Sequence, residues 1–168
     1  MTIDGPGSMS RVRAVLEAAA GGDVRRDERE LFEYVSALVS QTPSVRDHPI
    51  VDVVDHVGNY WCNWLLVILR AGPYRPSTMR RLLMAFDPSH PISQRMLTLN
   101  LRALERDGLV SRQVIDDDRL HVEYTLTPLG RELSEQVMTL VRWVDDHAEA
   151  IRRARVAFDG ADGPDGAG

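Results

Sequence analysis

A chain of 168 residues is long enough for one ordinary domain with a sizeable core, and an apolar content of 43% argues against disorder throughout. The longest apolar run, Trp64–Leu69, is too short to cross a bilayer, and no basic-then-apolar leader is visible at the N-terminus. The single cysteine, Cys62, excludes an internal disulfide framework and suits a reducing cytosol, so we expect a globular, cytoplasmic protein without a membrane partner.

The charge is distributed unevenly along the chain. The formal net charge is −5, and all 20 basic residues are arginines, a bias that a GC-rich genome would also produce. Between Arg75 and Arg112, seven arginines stand against three acidic residues, a net charge of +4, which leaves −9 for the rest of the chain. A basic segment within an acidic protein is typical of a local contact with nucleic acid.

The first third of the chain is predicted to contain a helical segment behind an unstructured start. Residues 1–10 are predicted to be a disordered lead-in or a cloning scar. Residues 11–46 form the predicted N-terminal helical segment. In it, Asp27 and Glu30 have the spacing of a capping box, and apolar residues at helical spacing follow until Pro43.

Residues 47–158 are predicted to form the main domain. A helix is expected after Asp47, with Gly58 as a candidate break before a buried central helix that contains Trp64–Leu69. Gly72-Pro73 should end this helix. A short helix is then predicted over about Ser77–Phe86.

A connector, a further helix and a hairpin follow. Asp87–Pro91 carries two prolines and cannot stay helical, and Ser93 can cap a helix that runs to Asp107. Leu109–Ile115 and Leu120–Leu126 have the character of two strands joined by a tight tip.

Thr127-Pro128 is predicted to start a long final helix that ends near Phe158, and residues 159–168 are predicted to be a disordered tail. This helix carries a long apolar stripe that a small core cannot cover. The predicted fold is mainly α with a small β-hairpin: a winged helix-turn-helix with extra N- and C-terminal helices for dimerisation.

The helix that begins after Ser93 has two different faces. At about 100° per residue, Leu97, Leu101 and Leu104 lie together and should face the core. The opposite side, here called the arginine face, carries three arginines and one leucine and no acidic residue. Arginine can contact both a guanine edge and a phosphate, so this helix is predicted to enter the major groove. The arginine face consists of Arg95, Leu99, Arg102 and Arg106.

A solvated face of a core helix is the alternative explanation, but the absence of acids and the hairpin that follows favour DNA binding. The net charge of the hairpin tip is negative, because Asp116–Asp118 precede Arg119. The candidate DNA-contacting residues are Ser93, Gln94, Arg95, Thr98, Leu99, Arg102, Arg106, Arg112 and Arg119.

Other chemistry has little support. The five histidines show no ligand spacing with one another or with the cysteine, so no metal and no cofactor are expected. No catalytic motif is present, and the protein is not expected to be an enzyme. An aromatic cluster can either be plain core or line a pocket for a small-molecule effector. The residues of this candidate effector pocket are His56, Trp61, Cys62 and Trp64.

Two stretches resemble the HxlR-type winged helix-turn-helix family: PISQRMLTLNLRALERDGLVSR and VEYTLTPLGREL. Trp64–Leu69 followed by Gly72-Pro73 is similar to the signature helix of that family, and the resemblance spans Trp61 to Trp143. It implies a homodimeric DNA-binding transcriptional regulator without catalytic activity. We expect this regulator to act as a repressor at a pseudo-palindromic operator.

The chain departs from the family pattern at several positions. The cysteine that family members commonly carry before the signature tryptophan is absent, and Cys62 lies elsewhere, which argues against a thiol switch. Asp87–Pro91 resembles a small insertion, and the acidic tip differs from the usual wing. The tip also supports a rival interpretation, a winged-helix protein-interaction module that has lost DNA binding.

Overall fold

The computed structural model describes residues 48–115 and 120–161, together with Glu30, Glu33, Tyr34 and Ala37. The chain divides into two compact units, residues 1–56 and 57–168. In the first unit the four isolated residues are helical, as predicted for the segment after Asp27, whereas the rest of that segment and the lead-in lie outside the described residues.

Two consecutive helices replace the single interrupted helix of the sequence interpretation. The helix α1 is Pro49–Gly58, and α2 is Tyr60–Ile68. Asn59 separates them with an extended backbone, and its Oδ1 accepts hydrogen bonds from the backbone N–H groups of Trp61 and Cys62, each at 3.0 Å. This N-cap starts a new helix, so the break predicted at Gly58 is confirmed and the cap explains it.

The helix α2 forms the centre of the second unit, as the run of apolar residues predicted. A 3₁₀ turn, Leu69–Ala71, continues it, and Gly72 then takes a φ of 143°, a conformation that favours glycine. The helix packs against three later helices of the chain, Pro76–Phe86, Gln94–Arg106 and Pro128–Ala161. The buried apolar residues around it are Cys62, Leu65, Leu66, Ile68, Leu69, Met79, Leu83, Ile92, Leu97, Leu101, Leu104, Leu109, Val110, Tyr124, Leu126 and Val137.

A helix-turn-helix follows. The helix α3 is Pro76–Phe86, with proline in its first turn, and α4 is Gln94–Arg106. Ser93 caps α4 as predicted, because its Oγ accepts a hydrogen bond of 3.1 Å from the backbone N–H of Met96. At the other end of α4, Gly108 has a φ of 71°.

The predicted wing is an antiparallel hairpin. The strand β1 is Val110–Ile115 and β2 is His121–Leu126, paired so that Val110 lies opposite Leu126. Tyr74 adds a short bridge to β2: its N–H and carbonyl oxygen both hydrogen-bond to Tyr124, at 3.0 and 2.9 Å. The wing is thereby tied to the chain just before α3.

The last helix, α5, is Pro128–Ala161. Thr127 caps it as predicted, with its Oγ1 accepting a hydrogen bond of 3.0 Å from the N–H of Gly130. The helix ends three residues later than predicted, so Asp159–Ala161, which the sequence assigned to the tail, are helical, and residues 162–168 lie outside the described residues. No described helix is long and apolar enough to span a membrane.

Only the first part of α5 is covered by the core of this chain. Val137 is buried and Leu133 and Met138 are half-buried, whereas the large apolar residues between Leu140 and Val144 are exposed. Arg70 donates a hydrogen bond of 2.8 Å to the buried Oγ of Ser134 and so fastens α5 to the end of the central helix. The exposed apolar residues beyond this point include Leu140, Val141, Trp143 and Val144.

Candidate nucleic-acid interface

The helix α4 has one buried face and one exposed face, as its sequence predicted. Leu97, Leu101 and Leu104 are each at most 1% exposed. All four residues of the arginine face are exposed, including Leu99 at 51%. The leucines bury the helix against the core, and so the arginines project away from it.

The flanking candidates already make contacts within the helix. The Oγ of Ser93 accepts the N-cap hydrogen bond from the backbone of Met96, and the hydroxyl of Thr98 donates a hydrogen bond of 2.9 Å to the carbonyl oxygen of Gln94. At the far end, the Nε of Arg106 lies 2.9 Å from Oδ1 of Asp107. This ion pair offsets the charge of Arg106, which makes it a weaker candidate than the other arginines of the face.

Arg95, Arg102 and Arg112 are exposed, and within the described part of the chain none of them forms an ion pair. An exposed guanidinium with no carboxylate partner keeps its charge and its five donors available. Arg112 lies on β1 in the wing, opposite Tyr124, whereas the other two lie on α4. The basic segment therefore presents charge from two neighbouring elements.

The connector between α3 and α4 is held by one carboxylate. Asp87 accepts hydrogen bonds from the hydroxyl of Ser89 at 2.6 Å, from the N–H of His90 at 3.2 Å and from the hydroxyl of Tyr60 at 3.1 Å. The Nδ1 of His90 lies 3.2 Å from its Oδ2. The hydrogen bond from Ser89 is the largest cause that holds the pKa of Asp87 below its ordinary value, and those from Tyr60 and His90 lower it further.

A cluster of ionisable side chains lies along β2 of the wing. The Nε2 of His121 lies 3.1 Å from Oε1 of Glu123, and the Nε of Arg75 lies 3.7 Å from the same oxygen. Part of the acidic charge of the wing is thus paired within the protein. The tip, with the three aspartates and Arg119, lies outside the described residues.

The cysteine is buried, as its position between two tryptophans predicted. Cys62 is 1% exposed, and burial raises the pKa of its thiol to about 11. Its Sγ donates a hydrogen bond of 3.0 Å to Oδ1 of Asn100, a buried residue of α4. The Nδ2 of Asn100 donates to the carbonyl oxygen of Met96 at 2.8 Å.

Aromatic rings gather at the start of α2 and the end of α3. The rings of Tyr60 and Trp61 meet edge to face at 4.9 Å, and Trp64 lies 5.6 Å from Phe86. Trp61 and Trp64 are half-buried, and His56, in the first unit, is buried. The candidate effector pocket stays a prediction. No group of three or more potential metal ligands occurs among the described residues.

Residues 56–152 match the HxlR-like helix-turn-helix family. That match covers more than half of the chain and contains the helix-turn-helix, the wing and most of α5. The chain belongs to the HxlR-like helix-turn-helix family. The sequence of an HTH-type transcriptional regulator, YtfH of Escherichia coli strain K12, is 39% identical over 112 residues, which span 65% of this chain and 84% of YtfH.

Two solved structures of regulators have a similar fold. The transcriptional regulator ytfH of Salmonella typhimurium superposes with a TM-score of 0.56 at 34% identity, over 66% of this chain and 94% of ytfH. The redox regulator HypR in its reduced form superposes with a TM-score of 0.53 at 35% identity, over 62% of this chain and 98% of HypR. This HxlR-like chain is therefore a DNA-binding transcriptional regulator with a winged-helix fold and not an enzyme.

The sequence did not predict the roles of three residues that shape the site. Arg80 donates a hydrogen bond of 3.1 Å to the carbonyl oxygen of Ile92, immediately before α4, although its sequence position marks it only as one more arginine. Asn100 is polar but lies toward the leucine face of α4. A polar residue on an apolar helix face is the sequence signal that could have identified it as a buried hydrogen-bonding residue. Asp87 follows the last residue of α3 and precedes a proline, a position typical of turn-forming aspartates.

Proposed function

We propose that this HxlR-like protein is a homodimeric repressor that reads a pseudo-palindromic operator with α4. The observation that carries the proposal is the arginine face, because Arg95 and Arg102 are exposed and unpaired among the described residues while the opposite face of the same helix is buried. In winged helix-turn-helix proteins the second helix enters the major groove. We therefore assign base contacts to Gln94, Arg95, Leu99 and Arg102.

The wing and the cap supply contacts to the DNA backbone in this proposal. Arg112 is exposed on β1, and Ser93 stands at the positive N-terminal end of α4, where backbone N–H groups favour phosphate. Thr98 flanks the arginine face, and Arg106 adds a charge that Asp107 partly offsets. Arg119 belongs to the same proposed set.

Dimerisation is supported by the apolar residues that α5 leaves uncovered. Leu140, Val141 and Val144 are between 42% and 46% exposed, and Trp143 is 53% exposed. A second copy of the chain would bury them, and two-fold symmetry would repeat the reading helix about 34 Å away, one turn of duplex. This spacing is the reason for a pseudo-palindromic operator. The helical segment at residues 11–46 is proposed to take part in the same contact.

Repression and cytoplasmic location follow from this proposal. A dimer that occupies one turn of duplex on each side excludes other proteins from that site, and bacterial DNA lies in the cytoplasm. A small-molecule effector that binds near Trp61 and Trp64 would alter the affinity for the operator. The rival function, a protein-interaction module without DNA binding, is favoured by the acidic sequence Asp116–Asp118.

Selection from a pool of random duplexes tests the proposal. The protein should enrich one sequence with two related half-sites, and its affinity for duplex should fall steeply with salt as counterions are released. Arg95→Ala and Arg102→Ala should each lose about 1–3 kcal/mol of binding free energy on the enriched site. Arg153→Ala is the matched control, since Arg153 is also exposed but lies on α5.

Three outcomes would contradict the proposal or one of its parts. Enrichment of no sequence, together with salt-independent weak binding, would favour the protein-interaction module. If Arg95→Ala, Arg102→Ala and the control bind the enriched site equally well, the reading face of α4 is assigned wrongly. In a reporter strain, expression that rises with the amount of protein would exclude repression.

A further inference from the structure

The central helix α2 contacts the helix-turn-helix through side-chain hydrogen bonds at two separate places. Tyr60, at its first residue, reaches the connector, and Cys62, two residues later, reaches α4 itself. Neither contact belongs to the arginine face. Both join the centre of the domain to the element proposed to enter the groove.

The first contact involves the connector. The hydroxyl of Tyr60 donates to Oδ2 of Asp87 at 3.1 Å, while Oδ1 of the same carboxylate accepts from Ser89 and from the N–H of His90. The carboxylate thus joins α2 to the turn that leads into α4. With both of its oxygens engaged, Asp87 orients Ser89 and His90 in the turn that leads to α4.

The second contact lies beneath α4. The thiol of Cys62 donates to Oδ1 of Asn100 at 3.0 Å, and both residues are buried. A buried polar pair in an apolar layer specifies one register, because sliding or rotating the helix leaves a polar group without a partner. The leucines beside Asn100 impose no comparable restriction, since apolar contacts are not directional.

We propose that Tyr60 and Asn100 are positioning residues that set the orientation of α4 and thereby its discrimination between operator and random DNA. This inference rests on the proposed function. Base edges require donors within about half an ångström of their ideal positions, whereas phosphate contacts tolerate small displacements. A helix that keeps its charges but loses its orientation therefore loses operator affinity and keeps random-duplex affinity.

Tyr60→Phe and Asn100→Leu test the two contacts. The first removes one hydroxyl and keeps the ring, and the second replaces a buried amide by an apolar side chain of similar size. Thr139→Ala is the matched control, because it removes a side-chain hydrogen bond within α5 that involves neither the connector nor α4. Dissociation constants are measured on the selected operator and on a scrambled duplex, at two salt concentrations.

Each variant should lower the ratio of operator affinity to scrambled-duplex affinity by about fivefold, the equivalent of one hydrogen bond of about 1 kcal/mol. The control should stay within about twofold of the wild type. The salt dependence should not change, because the phosphate-contacting arginines remain. The double variant Cys62→Val/Asn100→Leu replaces both buried partners by apolar side chains, so it should unfold near the wild-type temperature. A purely structural role would instead lower the unfolding temperature and both affinities together, and that result overturns the inference.

Amide hydrogen exchange of the free protein separates this inference from the proposed function. The backbone N–H of His90 donates a hydrogen bond to Asp87, so Tyr60→Phe, which loosens Asp87, should speed hydrogen exchange at this amide. The amides in the middle of α5 should exchange as in the wild type. If the wild type enriches no operator, the proposed function fails and exchange alone decides the positioning role. Unchanged exchange at His90, or an unchanged affinity ratio on an operator that is found, refutes it.

Discussion

The reactivity of Cys62 is the property for which the structure supplies a magnitude. Burial raises the pKa of this thiol from 9.0 to about 11, and the side chain is 1% exposed. Only the thiolate reacts with disulfides and alkylating agents. At pH 8 a thiol with the higher pKa is about 0.1% ionised, and one with the lower pKa is about 9% ionised, a difference of about a hundredfold.

We therefore expect an aromatic disulfide reagent at pH 8 to label the native protein at least about a hundredfold more slowly than the urea-unfolded chain. Exclusion of the reagent by the surrounding side chains slows the reaction further. Cys62→Ser should keep DNA binding, because a hydroxyl can still donate to Asn100. Mild oxidant should change the DNA affinity of the wild type and of Cys62→Ser equally.

The raised pKa also has a consequence for stability, with a definite sign. The folded state favours the neutral thiol. The contribution of Cys62 to the free energy of unfolding is therefore complete below pH 9 and is lost as the pH rises toward 11. The urea midpoint of the wild type should fall over this range more steeply than that of Cys62→Ser. Rapid labelling of the native thiol, accompanied by loss of operator binding, would refute this reasoning.

Three further predictions concern packing, assembly and the wing. A Cβ on Gly130 would lie 1.8 Å from the carbonyl oxygen of Leu109, so Gly130→Ala should cost about 3 kcal/mol of unfolding free energy in urea titrations, whereas Gly58→Ala, in open space, should not destabilise. Val144→Asp should yield a monomeric mass in light scattering, because it places a charge on the uncovered face of α5. Replacing Asp116–Asp118 by asparagine should tighten random-duplex binding at fixed salt by about tenfold, because the three charges repel phosphate.

Each of these has a clear contrary result. Equal urea midpoints for the two glycine variants would mean that the start of α5 can move away from Leu109 at no cost. A wild-type protein that is already monomeric at micromolar concentration would refute the proposed dimerisation through α5. An unchanged random-duplex affinity would place the acidic tip away from DNA, and a weaker affinity would mean that the aspartates make favourable contacts.

The fold was predictable wherever local signals agreed with one another. Pro76 near the start of α3, Ser93 and Thr127 as caps, and Gly108 after α4 all have the roles that their residue types favour. The leucine period of α4 correctly separated its buried and exposed faces. The hairpin followed from alternation in β2, where Tyr124 and Leu126 are buried.

The break after α1 was predicted at Gly58, but its cause is the neighbouring residue. Asn59 caps α2 with its side chain, and an asparagine within a long run of helical periodicity carries little signal by itself. Ile50 and Val54 lie at helical spacing on α1, yet both are exposed in the structure, whereas the polar His56 of the same helix is buried.

The sequence by itself determined the family, the order of the elements, the charge of the reading helix and the burial of Cys62, because each depends on residues close together in the chain. Only the tertiary structure decided which side chains meet across elements. Tyr60 and Asp87 are 27 residues apart, Cys62 and Asn100 are 38 apart, and Arg70 and Ser134 are 64 apart. Hydrogen bonds act over about 3 Å, so such pairs exist only after helix packing has brought their elements together, and no local pattern records them.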